Sequence, residues 1–397
     1  MSIMADAAAG SPDRERLEHL LAHFWDNRAR ARDTMAGDDR DKVMLDQLDE
    51  YSSVCVWATP APLLRLDLHE FPEVMAAYLF ADSPALRSVQ GRAICQNFRN
   101  RTQETRELVC DRYGDNLCRA TLPGGGWTKH QDAAQEQMAN FATRMGLQCS
   151  TEAWALIKQR LPSDNHLPPV NNHRLRHTSP DFSFRVPATF AEDGNRFKGG
   201  GHYLGEMKTC NPGARYQLPQ VLEGARRAVD VRDAELFDEY VGLAKRHDGR
   251  HYGTLEGDMG PLQTVLRGFH FSGFAVGHVG EVSRGVKDFV NMAAEVGAKG
   301  NGKDIDAVSL LDAKATFSRI GKINIAMAAW RERARLILDR AQYVGMSGRA
   351  VTLAQLRRQS AMALAVRDPL SESAQIQARV QQDVTVFRQL TRHGEGW

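Results

Sequence analysis

The chain has 397 residues, of which 42% are hydrophobic and 25% are charged, and both shares are close to those of globular proteins. Its 51 Lys and Arg residues against 49 Asp and Glu residues leave a formal net charge of +2, which is too small to indicate nucleic-acid binding by itself. One core does not use a chain of this length efficiently, so we expect two or three structural units.

The cysteines and the apolar runs indicate the compartment. Six cysteines are scattered without a CxxC pair, which favours reduced intracellular thiols over a disulfide framework or a zinc knuckle. No run of about 18 apolar residues occurs, and the first residues lack the basic start of a secretion signal. We therefore expect an intracellular protein, nuclear or cytoplasmic, that does not bind membranes.

The first 125 residues predict a mixed, partly helical region. Apolar residues recur at helical spacing over 17–25, and residues 72–80 also favour a helix. Residues 53–57 and 106–110 are β-prone, and the glycine-rich turn at 123–126 is the predicted boundary of this region.

Residues 126–300 predict an α/β core, a mixed sheet flanked by helices. A helix over 127–145 and a β-prone run over 152–158 come first, and a loop rich in turn residues follows. Residues 180–186 and 202–209 then predict two strands that pair as a hairpin with a long polar loop.

The remaining elements are mostly helical. We expect a helix over 219–246, a strand within 268–279 and a helix over 284–296. Residues 301–397 predict a helical C-terminal region, with one long helix over 304–343 that is a candidate for a bend at Gly321.

Strand alternation brings three charged side chains to one face of the predicted hairpin. Successive side chains on a strand point to opposite faces, so Glu206 and Lys208 share a side, and pairing with the preceding strand brings Asp181 beside Glu206. Carboxylate oxygens are hard ligands that hold Mg²⁺, which polarises a phosphate and lowers the pKa of a bound water. The ammonium of Lys208 can orient the attacking water or stabilise developing charge.

The same residues resemble the motif of the PD-(D/E)xK, or restriction-endonuclease-like, nucleases. Pro180 and Asp181 match its first half, and the segment 205–208, Gly-Glu-Met-Lys, matches its second half. The resemblance covers about residues 127–283 and implies a mixed sheet with a helix and a strand on each side of the motif hairpin. It implies DNA hydrolysis with Mg²⁺ or Mn²⁺, with Asp181, Glu206 and Lys208 as catalytic residues.

The predicted metal-binding positions are Asp181, Glu206 and Met207, the residue between Glu206 and Lys208. Many members of the superfamily add an acid from the first core helix, for which Glu136 is a candidate. Residues 240–253 and 277–281 also resemble uncharacterised reading frames of algae and protists, some of them near mobile elements.

Basic residues near the motif are candidates for contact with DNA, or with RNA as the alternative substrate. The predicted nucleic-acid-binding residues are Arg174, Arg176, Arg215 and Arg226. Acidic residues at helical spacing explain most arginines of the helix after the motif equally well, as internal ion pairs. A catalytically silent nucleic-acid-binding or particle-building protein on the same fold is the alternative function.

Other motifs favour structural roles. His130 and Asp132 come early in a predicted helix, so they are expected to cap it. His247 and His251 stand four apart, but no third zinc ligand is evident in the sequence. The arginines between 331 and 340 are expected to form a basic helix face, with a nucleic-acid platform as the less favoured interpretation.

Overall fold

The computed structural model describes residues 39–57, 64–94, 108–120, 122, 126–151, 153–162, 180–210, 214–301 and 307–347. The chain divides into one compact unit over residues 1–341 and a second over 342–397. The predicted three-part division at residues 125 and 300 stays a prediction. The predicted helix over 17–25 lies outside the described residues.

The chain forms a mixed α/β structure. The helices of the described residues, numbered in chain order, are α1 (Asp39–Gln47), α2 (Val54–Trp57), α3 (Glu70–Tyr78), α4 (Asp115–Arg119), α5 (Gly126–Arg144), α6 (Ala153–Lys158), α7 (Pro219–Leu222), α8 (Ala228–Tyr252), α9 (Pro261–Arg267), α10 (Arg284–Asn301) and α11 (Ala307–Ser347). The strands are β1 (Ala93–Ile94), β2 (Leu108–Val109), β3 (Gln148–Ser150), β4 (Phe182–Val186), β5 (Gly201–Thr209) and β6 (His270–Val276). None of these helices combines the length and the apolar composition that crossing a membrane requires.

Four strands form the main sheet, in the order β3-β4-β5-β6. β4 is antiparallel to β3 and to β5, whereas β6 is parallel to β5. The crossover from β5 to β6 contains α8 and α9, since a parallel neighbour requires a long connection. The predicted hairpin of two strands with a long loop is confirmed.

Both faces of the sheet are covered. On one face, aromatic rings from β4, β6 and α10 pack together, with Phe184 and Phe289 centred 5.0 Å apart and Phe182 and Phe274 centred 5.2 Å apart. On the other face, Leu204 of β5 packs in a smaller apolar cluster with Ala153 and residues of α8 and α9. The catalytic candidates lie on the Leu204 face, because Glu206 and Lys208 follow Leu204 at intervals of two.

Two segments that were expected to be β-strands are helices in the structure. Residues 153–158 form helix α6 rather than a strand, because Ala153 and Ile157, four apart, are both buried against the sheet. The strand of this region is β3, over residues 148–150. Residues 54–57 likewise form a helix, where a β-prone run was expected.

The helix expected over 219–246 is interrupted. It ends at Leu222, and Gly224 then adopts a φ of 71°, a left-handed conformation that typically terminates helices. Helix α8 begins only at Ala228 and continues to Tyr252. The break turns the chain before α8 crosses the sheet.

Candidate active site

Asp181, Glu206 and Lys208 lie together on the Leu204 face of the main sheet, at its two central strands. Phe182 pairs with Gly205 across the antiparallel ladder, so the residue before β4 lies beside Glu206. The Lys208 Nζ atom is 2.5 Å from Glu206 Oε1 and 3.6 Å from Asp181 Oδ2. All three side chains are mostly buried, with exposed fractions of 20% for Asp181, 14% for Glu206 and 30% for Lys208. The predicted convergence is therefore present in the structure.

The carboxylate of Asp181 is held in place from two elements. The main-chain N–H of Met207 donates to Asp181 Oδ2 at 2.7 Å, and Gln131 of α5 donates to the same oxygen at 3.3 Å. One turn further along α5, Gln135 donates to the Asp181 carbonyl oxygen at 2.8 Å. Both hydrogen bonds that the Asp181 carboxylate accepts reach Oδ2. Its other oxygen, Oδ1, is therefore available for a further ligand.

Burial and mutual repulsion make this site costly for two negative charges. Burial, followed by the charge of Asp181, raises the pKa of Glu206 to about 7. Burial also raises the pKa of Asp181, although Lys208 and the Met207 N–H oppose the shift. Burial disfavours the ammonium of Lys208, but the charges of Glu206 and Asp181 prevail and raise its pKa. The site thus retains a charged lysine, and further positive charge would stabilise its two carboxylates.

The donor set fits a hard divalent cation. Among the described residues, Glu206 Oε2 is buried and has no hydrogen-bond partner. Mg²⁺ commonly takes one or two protein carboxylates and completes its shell with water and substrate phosphate oxygens. In the described part of the chain, no group of three or more His, Cys, Asp or Glu side chains is arranged to hold a metal. Asp181 and Glu206 are the two carboxylates that this cluster could offer to such a cation.

The side chain of Met207 lies away from this site. It is fully buried in the aromatic cluster on the opposite face of the sheet. The main chain of Met207, by contrast, contacts Asp181. Met207 could therefore bind a metal, as predicted, only through its main-chain carbonyl oxygen.

His130 and Asp132 do not cap a helix, because α5 begins at Gly126 and both residues lie inside it. His130 is fully buried. The surrounding protein desolvates Asp132 and raises the pKa of its carboxyl, while the charge of Lys208 lowers it. Asp132 is also one of the charges that raise the pKa of Asp181. Asp132 is therefore an acid of the first core helix that acts electrostatically on the site. The candidate role of Glu136 stays a prediction.

The sequence analysis missed the residues that surround the three catalytic candidates. Gln131 and Gln135 stand four apart on α5, a spacing that puts both on one helix face, but no pattern indicates that this face meets Asp181. Tyr240 of α8 is buried, and the pKa of its hydroxyl is raised by burial and by the charges of Glu206 and Asp181. Its apolar spacing indicated a core residue and gave no signal of this proximity.

The predicted nucleic-acid-binding residues are only partly described. Arg174 and Arg176 lie outside the described residues. Arg215 belongs to a short 3₁₀ turn, Ala214–Gln217, and Arg226 is exposed just before α8.

Two other arginines near the start of α8 are in ion pairs. Arg227 lies 2.8 Å from Asp230, and Arg232 contacts Glu235 at 3.3 Å as well as Glu239. Internal ion pairing therefore accounts for this pair of arginines.

The arginines of α11 also make internal contacts. Arg331 and Arg335 both pair with Glu70, at 3.3 and 2.6 Å. Arg340 donates to three main-chain carbonyls between residues 117 and 120, at the end of α4. These contacts anchor α11 to the preceding part of the chain.

Comparison of the chain with protein-family models, with curated proteins and with solved structures found no match. The site geometry and the fold are therefore the basis of the functional argument.

Proposed function

We propose that this protein is a metal-dependent nuclease with a restriction-endonuclease-like core, in which Asp181 and Glu206 bind Mg²⁺ or Mn²⁺ and Lys208 acts on the scissile phosphate. The observation that carries the proposal is the convergence of these three side chains, with one buried Glu206 oxygen lacking a hydrogen-bond partner. The order α5, β3, β4–β5 hairpin, α8, β6 supports it, since the superfamily has a helix and a strand on each side of its motif hairpin.

Each residue has a separate role in phosphodiester hydrolysis. When bound, the metal polarises the phosphate and lowers the pKa of a coordinated water. Gln131 and the Met207 N–H fix the orientation of Asp181, so its free oxygen is positioned before substrate arrives. Lys208 keeps its proton between two carboxylates and can donate a hydrogen bond to a phosphate oxygen, where negative charge grows in the transition state.

A test of metal-dependent cleavage addresses the proposal directly. Purified full-length protein should cleave labelled DNA in Mg²⁺ or Mn²⁺ and lose this activity in chelator. Asp181→Ala should abolish cleavage and leave folding intact, because the substitution removes a buried charge whose pKa is raised by that burial. Asp193→Ala is the matched control, since its side chain is 92% exposed in the loop between β4 and β5, and this variant should cut normally.

Two outcomes contradict the proposal. Cleavage that persists in chelator would exclude the metal mechanism, and an Asp181→Ala variant that cuts at the normal rate would remove Asp181 from the site. Parallel assays on RNA would determine which nucleic acid is the substrate.

A catalytically silent nucleic-acid-binding protein is the second candidate, and one observation favours it. The Lys208 ammonium already contacts Glu206 at 2.5 Å and so supplies part of the positive charge that a metal would bring. Under this alternative, the wild-type protein binds nucleic acid but shows no metal-dependent cleavage.

A further inference from the structure

A groove lies on the same sheet face as the carboxylates, between β5, β6, α8 and α9. Its volume is about 890 Å³, and Leu204, Tyr240 and Phe271 are among the residues that line it. Leu204 precedes Glu206 by two residues on β5 and therefore lies on the same face of the sheet. Burial, and then the charges of Glu206 and Asp181, raise the pKa of the Tyr240 hydroxyl. The groove therefore adjoins the candidate active site.

The groove is lined by aromatic rings and has an exposed apolar rim. Tyr240 stacks on Phe271 with ring centroids 4.9 Å apart, and Phe237 meets Phe271 edge-on at 5.8 Å. Phe237 is 54% exposed, Leu255 is 74% exposed and Met259 is 43% exposed, and all three line the groove. This apolar surface lies open to solvent beside a highly charged site.

Three exposed cations, Lys245, Arg246 and Arg267, line the same groove. Within the described part of the chain, none of them lies within ion-pair distance of a carboxylate, whereas Arg227 and Arg232 near the start of α8 are both paired. Glu256 and Asp258 also line the groove, from the loop before α9. The three cations therefore attract phosphate to the groove, whereas Glu256 and Asp258 disfavour phosphate near their loop.

We infer that this groove binds a single-stranded segment of nucleic acid, with a base against Phe237 and its phosphates near Lys245, Arg246 and Arg267. Aromatic side chains stack on the flat faces of bases. These faces are open in a single strand and are covered by neighbouring base pairs in a duplex. Unpaired cations beside aromatic rings are the combination with which proteins hold single strands. The inference rests on the proposed nuclease function and specifies the form of its substrate.

Binding can be measured without cleavage, by fluorescence anisotropy of a labelled oligodeoxynucleotide in the presence of chelator. The full-length protein should bind the single strand more tightly than the matching duplex. Phe237→Ala should weaken single-strand binding about fivefold or more, because stacking contributes roughly 1–3 kcal/mol per base. Leu222→Ala is the control, since Leu222 is 50% exposed and lies outside the groove.

The charges of the groove can be tested by removing its cations, which should weaken binding, and by removing its acids, which should strengthen it. Lys245→Ala with Arg246→Ala should weaken binding and reduce the slope of log K against log salt by up to about 1.4, since each single-strand phosphate contact contributes about 0.7. Removal of two exposed arginines elsewhere, Arg144→Ala with Arg250→Ala, should change the slope less. Glu256→Gln with Asp258→Asn should tighten binding instead.

These outcomes separate the groove from the catalytic proposal. Single-strand binding that depends on Phe237, in a protein that never cleaves, would retain the groove and reject the nuclease. Absence of single-strand binding, equal binding of duplex and single strand, or equal effects of Phe237→Ala and Leu222→Ala would overturn the inference.

Discussion

In the proposed nuclease, Glu206 is the residue at which a proton, a lysine and a metal would compete. One of its oxygens contacts Lys208 at 2.5 Å, and the other is buried without a hydrogen bond. Burial and the charge of Asp181 raise its pKa to about 7, so without metal a proton is retained near neutral pH. Metal binding must displace that proton, and affinity for Mg²⁺ should therefore rise with pH through this range.

We predict that the stability of the metal-free protein falls as pH rises from about 4.5 to about 7. A carboxyl whose folded pKa lies above its unfolded pKa stabilises the fold below the unfolded value, and this contribution is lost as pH rises through the folded pKa. Glu206→Gln should flatten this dependence, by an amount on the order of 3 kcal/mol for a shift of this size. Urea unfolding in the presence of chelator, at several pH values, measures the pH dependence of the free energy of unfolding.

Glu281 provides the internal comparison for this experiment. It is fully buried, accepts a hydrogen bond from Tyr216 at 2.5 Å and also has a pKa raised to about 7 by burial. Part of the pH dependence should therefore remain in Glu206→Gln and disappear when Glu281→Gln is added. A pH profile that Glu206→Gln leaves unchanged would show that Glu206 titrates normally.

The three catalytic candidates could be predicted because strand alternation has a fixed period and needs no knowledge of distant parts of the chain. Asp181, Glu206 and Lys208 follow from two strands and one pairing. Asp132 could not be placed in the same way, since its role depends on where α5 begins and on how the helix meets the sheet. A start at Gly126 makes Asp132 an interior residue of the helix, whose carboxyl interacts with the charge of Lys208.

The hairpin of β4 and β5 is the element on which the site depends, and its two strands were predicted correctly. Their aromatic and alternating residues fit a pleated and largely buried surface. Residues 153–158 were misassigned because a short apolar run fits a buried strand and a buried helix equally well. Only its packing against the sheet, through Ala153 and Ile157, distinguishes the two.

Gly205 allows the two strands of the hairpin to pair closely over an aromatic ring. A Cβ atom at this position would lie 2.7 to 2.9 Å from ring atoms of Phe182, the residue after Asp181. The missing side chain therefore lets Phe182 pack across the strand pair while Asp181 lies beside Glu206.

We predict that Gly205→Ala destabilises the protein by roughly 1–3 kcal/mol, the usual range for overpacking a core. Cleavage should fall further than the loss of folded protein explains, because displacing Phe182 also displaces Asp181. Gly300→Ala is the control, since nothing lies within 4 Å of its Cβ position. Urea midpoints and cleavage rates under folding conditions would be compared, and a fully active Gly205→Ala would show that the site tolerates this shift.

At the scale of the whole molecule, the segment around residue 50 is joined to the sheet-bearing region by contacts that no local pattern indicates. Asp49 is 2.7 Å from Arg227, just before α8, and 2.9 Å from Lys287 of α10. Trp330 of α11 donates to the Ser52 carbonyl at 3.0 Å. The glycine-rich turn at 123–126 predicted a boundary at residue 125, because a turn motif is visible in the sequence and these long-range contacts are not.

If these contacts join the segment to the core, Asp49→Ala should destabilise both together. Removing Asp49, whose side chain is 8% exposed, leaves Arg227 and Lys287 partly buried without this partner, and we expect a loss of roughly 1–3 kcal/mol. Glu50→Ala is the control: its partner Lys322 lies 2.6 Å away, but Glu50 is 56% exposed, so the change should be about 0–1 kcal/mol. Hydrogen exchange of peptides covering residues 43–57 and 201–209 would report both regions, and protection should fall in both by a similar free energy. Loss of protection confined to residues 43–57 would show instead that this segment opens independently of the sheet, as the boundary at residue 125 implies.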